Sequence, residues 1–385
     1  MNFLKDIDVI LYGTAAVLQT AAFLVAWKSD FVRKRRGARK LISAAAILSG
    51  SLYLFSFLLR KMAWTGGSSG TLMTFASSVI PAWALLMSVP SAAYLISRLL
   101  FRVRPSHSAG RRRFLQTAQG ALLAVPVGVV GYGTFIERYN FELNEVDLPI
   151  PGLPKDLEGL RLVQLTDIHL SPYLSAKELA HCVGMANETK AHIALVTGDL
   201  ISFEEDPLDD CLDQLAKLKS EAGTFGCMGN HEIYAGSEDY TQRRGAELGM
   251  RFLRQQHTGL RFGDATLNLA GVDYQRRERP YLVGSEKLVA PDATNLLLSH
   301  NPDVFPVAAK KGFQGTISGH THGGQVRFEL LRQDLTVARF ITPYVHGLYQ
   351  TDESAIFVSR GIGTIGLPTR FGAPPEVSLI RLRRS

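Results

Sequence analysis

The hydrophobic and polar positions divide this chain into two parts of different character. Residues 9–27, 41–59, 71–97 and 114–136 contain no charged side chain. Each stretch meets or passes the roughly 18–20 residues that a helix needs to cross a bilayer core. They predict about four transmembrane helices, and so a membrane domain over residues 1–137. After Glu137 no uncharged run of that length recurs. Residues 138–158 hold Pro149, Pro151 and Pro154 and read as a connector.

From residue 159 to 385 the pattern changes to short apolar runs separated by amphipathic ones. Residues 161–166, 192–197 and 224–228 read as buried strands, and 175–189 and 207–219 as helices between them. Strands alternating with helices of this length predict βαβ units and a largely parallel sheet. Residues 293–298 and 315–317 are further short strands. Residues 355–359 and 377–382 alternate as strands of a second sheet would. The predicted class is α/β, a two-sheet sandwich with helices outside.

Charge adds topology. Residues 28–40 carry Lys28, Arg33, Lys34, Arg35, Arg36, Arg39 and Lys40 against Asp30, and residues 98–113 carry six arginines and no acid. These two segments hold more positive charge than the whole chain's formal +7, so the remainder is net negative. Lying between apolar stretches, they mark cytoplasmic loops rather than a nucleic-acid patch. The C-terminal domain is then expected outside the cytoplasm, at a bacterial inner or plasma membrane. Arg111-Arg112-Arg113-Phe114-Leu115 also resembles a twin-arginine export signal. Cys182, Cys211 and Cys227 are too few and too irregular for a disulfide framework or a metal-binding spacing.

The candidate chemistry sits just past the predicted strands, where ligands bind in parallel sheets. Five motifs follow in order: Asp167-Ile168-His169, Gly198-Asp199, Gly229-Asn230-His231-Glu232, Ser299-His300-Asn301 and Gly319-His320-Thr321-His322. Asp167, His169, Asp199, Asn230, His300, His320 and His322 supply seven oxygen or nitrogen donors. That is enough for two adjacent divalent ions, a combination suited to hydrolysing phosphate esters. The absence of Cys disfavours Cu(I) or an iron–sulfur cluster, and several His disfavour a pure Mg or Ca site. Mn, Zn, Fe, Co or Ni remain. Taken singly, most of these motifs have plain structural explanations; their order and placement do not. His181, His192, His257 and His346 lie off the motif ends and read as structural.

The series resembles that of the calcineurin-like metallophosphoesterases over about residues 160–325. With the apolar front and the Gly/Pro-rich tail 359–376, it is similar to a membrane-anchored bacterial YkuE/YaeI-like subgroup. The resemblance implies a four-layer α/β/β/α sandwich and two divalent ions. Asp167, His169 and His322 would bind one ion, and Asn230, His300 and His320 the other, with Asp199 bridging. His231 would be a catalytic non-ligand that protonates the leaving oxygen or stabilises the transition state, and a metal-bound hydroxide would attack phosphorus. Phosphomonoesters or phosphodiesters, with lipid-linked or envelope phosphates in view, would be the substrates; no nucleic-acid partner is expected. A cytoplasm-facing nucleotide-lipid pyrophosphatase and a metal-stabilised binding module are the alternatives. Arg360 and Arg370 in the tail either grip phosphate or brace a structural crossover. Glu232 orients His231 or a turn.

Overall fold

The computed structural model describes residues 2–28, 30–34, 36–44, 46–47, 50–51, 88, 91–96, 99, 110, 128–275, 280–330 and 333–385. The chain divides into two compact units, Met1–Ile136 with Gly366–Pro368, and Glu137–Ile365 with Thr369–Ser385.

The first unit opens with helix α1 (Asn2–Trp27). Among the described residues, no helix is long and apolar enough to cross a membrane. This corrects the expectation of about four membrane-spanning helices ahead of the sandwich. Of residues 41–59, 71–97 and 114–136, the greater part lies outside the described residues.

The second unit is built on two six-stranded sheets. The first contains β1 (Glu142–Ile150), β2 (Arg161–Leu165), β3 (Ile193–Thr197), β4 (Thr224–Cys227) and β5 (Met250–Phe252). The second contains β6 (Gln256–Phe262), β7 (Ala265–Gly271), β8 (Thr294–Leu298), β9 (Gly315–Ser318), β12 (Gly347–Gln350) and β13 (Ala355–Val358); β10 (Phe328–Leu330) and β11 (Gln333–Leu335) form a separate hairpin. The last strand, β14 (Glu376–Arg384), joins the first sheet, giving the orders β1-β14-β2-β3-β4-β5 and β12-β13-β9-β8-β7-β6.

Two expectations change here. Residues 142–150, read as connector, form an edge strand parallel to β14; its Pro149 is tolerated because an edge strand need not donate on both sides. Residues 377–382, read as part of the second sheet, lie in the first, antiparallel to β2. A period of two tells which side chains share a face, not which strand lies alongside.

The layering follows from alternation. In β3, Ile193 and Leu195 point between the sheets, where they meet Leu267, Leu296 and Ile317. Ala194 and Val196 point outward to Leu179, Cys182, Val183 and Ala186 of helix α2 (Ala176–Glu188) and to Leu212 and Leu215 of α3 (Leu208–Leu215). Both faces of the strand are covered, so it reads as a continuous apolar run. Each such aliphatic side chain contributes about 1.5–3 kcal/mol by leaving water. On the far side, Val304 and Ala308 cover Ala270, Val272 and Leu297. The result is α/β/β/α. Helix α2 starts where it does because Ser175 and Glu178 close a capping box: Ser175 Oγ accepts from Glu178 N (3.3 Å) and Glu178 Oε2 from Ser175 N (2.6 Å).

Candidate metal centre

β2, β3, β4, β8 and β9 all run into the motif residues at their carboxyl ends, and the parallel pairings align those ends along one edge of the sandwich. Six of the seven candidate donors, all but Asn230, fall into close groups there. Asp167, His169 and His322 bring ligand atoms within 4.8 Å of one another, as do Asp199, His300 and His320, and a third group links His169, Asp199 and His231. His169 Nε2 faces His322 Nε2 at 3.2 Å and Asp199 Oδ2 at 3.5 Å. His322 Nε2 lies 3.4 Å from Asp167 Oδ1. Across the cluster, His300 Nε2 lies 3.0 Å from Asp199 Oδ2 and 3.9 Å from Asp167 Oδ1.

The backbone of these segments is strained. Asp167, His169, Asp199, His320 and His322 have φ of 50°, 47°, 54°, 78° and 51°. Non-glycine residues rarely adopt such angles, which cost roughly 1–3 kcal/mol each and collect at functional sites. Backbone hydrogen bonds hold the strain: Ile168 N and His169 N both donate to Asp199 O, at 2.8 and 3.0 Å. His320 N donates to both carboxylate oxygens of Asp167, at 2.9 and 3.1 Å. Gly229 permits a close approach, since a Cβ there would stand 2.1 Å from Asp199 Oδ1.

Glu232, at zero exposure, is the hub of the loop cluster. Its Oε2 accepts from Asp199 N (2.9 Å) and Gly229 N (2.7 Å), and its Oε1 from Leu200 N (2.8 Å). It thus ties the loop after β3 to the loop after β4 and sets the carboxylate of Asp199. Ser202 was not singled out in the sequence, yet its Oγ meets His169 Nδ1 at 3.0 Å and its carbonyl accepts from His231 Nδ1 at 2.7 Å. Tyr274 places its hydroxyl 3.4 Å from His320 Nε2. No local pattern marks either residue.

The electrostatics suit cations. Burial holds His169 and His320 neutral, each pushed down to about 3, and His322 well below its ordinary value. A neutral imidazole is the form that binds metal. Burial also raises Asp167 to about 6. His300 is the exception: burial opposes its charge, but the Asp199 and Asp167 carboxylates outweigh that and raise it to about 10. The two carboxylates thus favour positive charge where His300 meets them.

The donor atoms fit divalent ions on three further counts. Asn230 Oδ1 and His322 Nδ1 are buried without a hydrogen-bond partner. His300 Nδ1 is occupied by Thr197 O at 2.7 Å, the outer bond that orients a ligating imidazole and turns its Nε2 toward the carboxylates of Asp199 and Asp167. And the spacing of His169 Nε2 and His322 Nε2 matches two nitrogens about 2.1 Å from one ion, which stand about 3.0–3.4 Å apart.

The remaining sequence candidates fall elsewhere. His192 accepts from Arg161 N, His257 meets Asn268, and His346 pairs with Arg327. Arg360 pairs with Glu376 (2.6 Å) and Glu142 (3.2 Å), and Arg370 is spent on backbone carbonyls, so the tail arginines brace a crossover.

Residues 160–324 match the calcineurin-like phosphoesterase family. With this fold and cluster, the chain carries a calcineurin-like metallophosphoesterase domain, that of a metal-dependent phosphoester hydrolase. Among its relatives is the uncharacterized metallophosphoesterase YkuE of Bacillus subtilis, 29% identical over 280 residues, covering 71% of this chain and 97% of that protein. A transmembrane protein with metallophosphoesterase domain from Danio rerio is 28% identical over 309 residues, 75% of this chain and 68% of its own. An uncharacterized metallophosphoesterase of Campylobacter jejuni is 32% identical over 245 residues, 63% of each.

Proposed function

We propose that this protein hydrolyses phosphomonoesters or phosphodiesters at a dinuclear centre. Asp167, His169 and His322 hold one divalent ion, Asn230, His300 and His320 hold the second, and Asp199 faces both. What supports this above all is the convergence of two buried donor groups on Asp199, with His169 Nε2 at 3.5 Å on one side and His300 Nε2 at 3.0 Å on the other. Imidazole and carboxylate donors suit Mn, Zn, Fe, Co or Ni. Such ions, when bound, supply Lewis-acid polarisation of the phosphoryl oxygens and lower the pKa of water toward neutrality.

The protein's own residues do the remaining work. Glu232 fixes the Asp199 loop, and Ser202 orients both His169 and His231. Because a carbonyl can only accept, His231 Nδ1 carries a proton toward Ser202 O. In the imidazolium form Nε2 carries a proton as well, and it is the atom that would deliver that proton to the departing ester oxygen, as a general acid. Oxygen from water bonds to phosphorus, the P–O ester bond breaks, the Nε2 proton ends on the leaving alcohol, and the proton that water gives up restores the imidazolium through solvent.

A lipid-linked phosphoester as natural substrate, and membrane residence with the catalytic domain outside the cytoplasm, belong to the same proposal. The transmembrane name of the Danio rerio relative supports the membrane residence. A reporter fused to the C-terminus tests the side.

The hydrolase itself is tested by turnover of bis-p-nitrophenyl phosphate and p-nitrophenyl phosphate. The purified chain is stripped with chelator and then given Mn, Zn, Fe, Co, Ni or Mg singly, beside Asp199→Ala. Metal-dependent turnover that vanishes in the variant is expected. A folded chain that binds two ions and turns over neither ester with any metal would point to a binding role.

A further inference from the structure

Arg370 is the largest fully buried side chain among the described residues, and nothing in the hydrolytic chemistry above uses it. Its guanidinium faces only carbonyl oxygens: Nε donates to Gly363 O at 3.0 Å, Nη1 to Ala373 O at 2.9 Å, and Nη2 to Arg360 O at 2.9 Å, Gly361 O at 3.2 Å and again Gly363 O. Burial pulls it down to about 10, while Asp167, Glu376 and Glu137 offset part of that. It is therefore a charged group at neutral pH, buried without a directly hydrogen-bonded carboxylate. Such placement is expensive.

Three of the four carbonyls it gathers, those of Arg360, Gly361 and Gly363, belong to a turn whose N–H groups are used in the opposite direction. Ile362 N donates to Thr166 O (3.1 Å) and Gly363 N to Asp167 O (2.7 Å). The turn lies hard against that segment: a Cβ on Gly363 would stand 2.0 Å from Ile168 O, and one on Gly361 2.5 Å from Asp167 Cβ. Asp167 and His169 are in left-handed backbone, a conformation that persists only where the surroundings over-determine it. The loop after β3 holds this segment on one side, through Gly198 O and Asp199 O. The turn 360–363 holds it on the other.

We propose that Arg370 is a positioning residue for the ion held by Asp167, His169 and His322: it fastens the turn that clamps Thr166 to Ile168, and so fixes the spacing of those ligands. This takes the metal-hydrolase function proposed above as given. A planar fork reaches several carbonyls at once; a lysine ammonium, a point charge with three donors, cannot.

The test is Mn2+ titration of the chelated, purified chain by calorimetry and electron paramagnetic resonance, on wild type, R370K and Gly363→Ala. Wild type is expected to bind two ions with a spin-coupled signal. R370K should retain one ion at wild-type affinity and bind the other about 10–100-fold more weakly, the range for outer partners of metal ligands. At limiting Mn2+ its signal should be uncoupled. Its kcat should fall by a similar factor with KM little changed, and excess Mn2+ should restore it. Gly363→Ala perturbs the same contact with Arg370 intact, and should lose the same ion even if R370K does not fold. Two ions at wild-type affinity in R370K, or in Gly363→Ala where R370K does not fold, would overturn the proposal while leaving the hydrolase intact. So would equal weakening of both ions alongside a lowered Tm. A wild-type chain that binds no Mn2+ would instead sink the dinuclear proposal, and this one with it.

Discussion

Replacing Glu232 by Gln gives the sharpest energetic test of how this site is held. The fully buried carboxylate accepts three backbone N–H groups, from Asp199, Gly229 and Leu200. An amide has one oxygen. Turned to keep Asp199 and Gly229, it points its NH2 at Leu200 N–H and leaves that buried donor unsatisfied, at about 1–3 kcal/mol. The two surviving bonds lose their charge assistance. Working the other way, burial and the nearby Asp199 both disfavour the carboxylate charge and raise its pKa, so a neutral amide relieves some cost. The net loss should be about 2 kcal/mol, or roughly 4–8 °C in Tm for a unit of this size. Glu232→Ala strands all three donors and leaves a cavity, and should cost about 4–5 kcal/mol. Calorimetric unfolding of the chelated proteins measures both, and Mn2+ affinity should fall in the same order as the Asp199 loop loosens. An E232Q protein as stable as wild type would show that the desolvation of this carboxylate cancels its three bonds, and that the loop is held by something else.

Three further outcomes are expected. Gly229→Ala drives a methyl group into Asp199 Oδ1, so turnover of bis-p-nitrophenyl phosphate should drop about 100-fold or more, as misplacements near 1 Å do; an unchanged kcat would mean Asp199 is not where the chemistry happens. His231→Gln should keep its metal content by elemental analysis but lose about 10²–10⁴ in kcat on phenyl phosphate, and much less on p-nitrophenyl phosphate, whose leaving group needs little protonation; equal losses on both would remove the general-acid role. Asp206 accepts from Ser202 N and Phe203 N (2.8 and 2.9 Å), yet burial raises it from 3.8 to about 6. The native state therefore binds the extra proton between those values, stability falls as pH rises through that window and levels off above it, and Asp206→Asn should flatten the slope in denaturant titrations from pH 4 to pH 7.

Much of this was legible along the chain because its signals are local. Ala194 and Val196 alternating with Ile193 and Leu195 define a strand covered on both faces, and Ser175 with Glu178 marks where a helix starts. Once the strands are parallel, the residues past their ends must share one edge, so the pattern alone gathers Asp167, Asp199, Asn230, His300 and His320. What stayed hidden concerned neighbours. Nothing in residues 377–382 says that they lie between β1 and β2, and the proline-bearing residues 142–150 gave no sign of being a sheet edge. The apolar stretches near the N-terminus read as membrane spans by length alone, and among the described residues no helix meets that description.

The sequence by itself determined the alternation of strand and helix, the buried faces and the inventory of donor atoms, since each depends on residues within a turn or two of one another. Only the tertiary structure decided that His169 meets His322 across 153 positions of chain, and that Glu232 serves Asp199 rather than His231. It alone assigned Arg370 to carbonyls instead of phosphate, and five of the seven donors to left-handed backbone. The reason is physical. A buried polar group must find its partner wherever packing brings one, and strained backbone persists only when contacts distant in sequence hold it, so neither leaves a periodic mark on the chain.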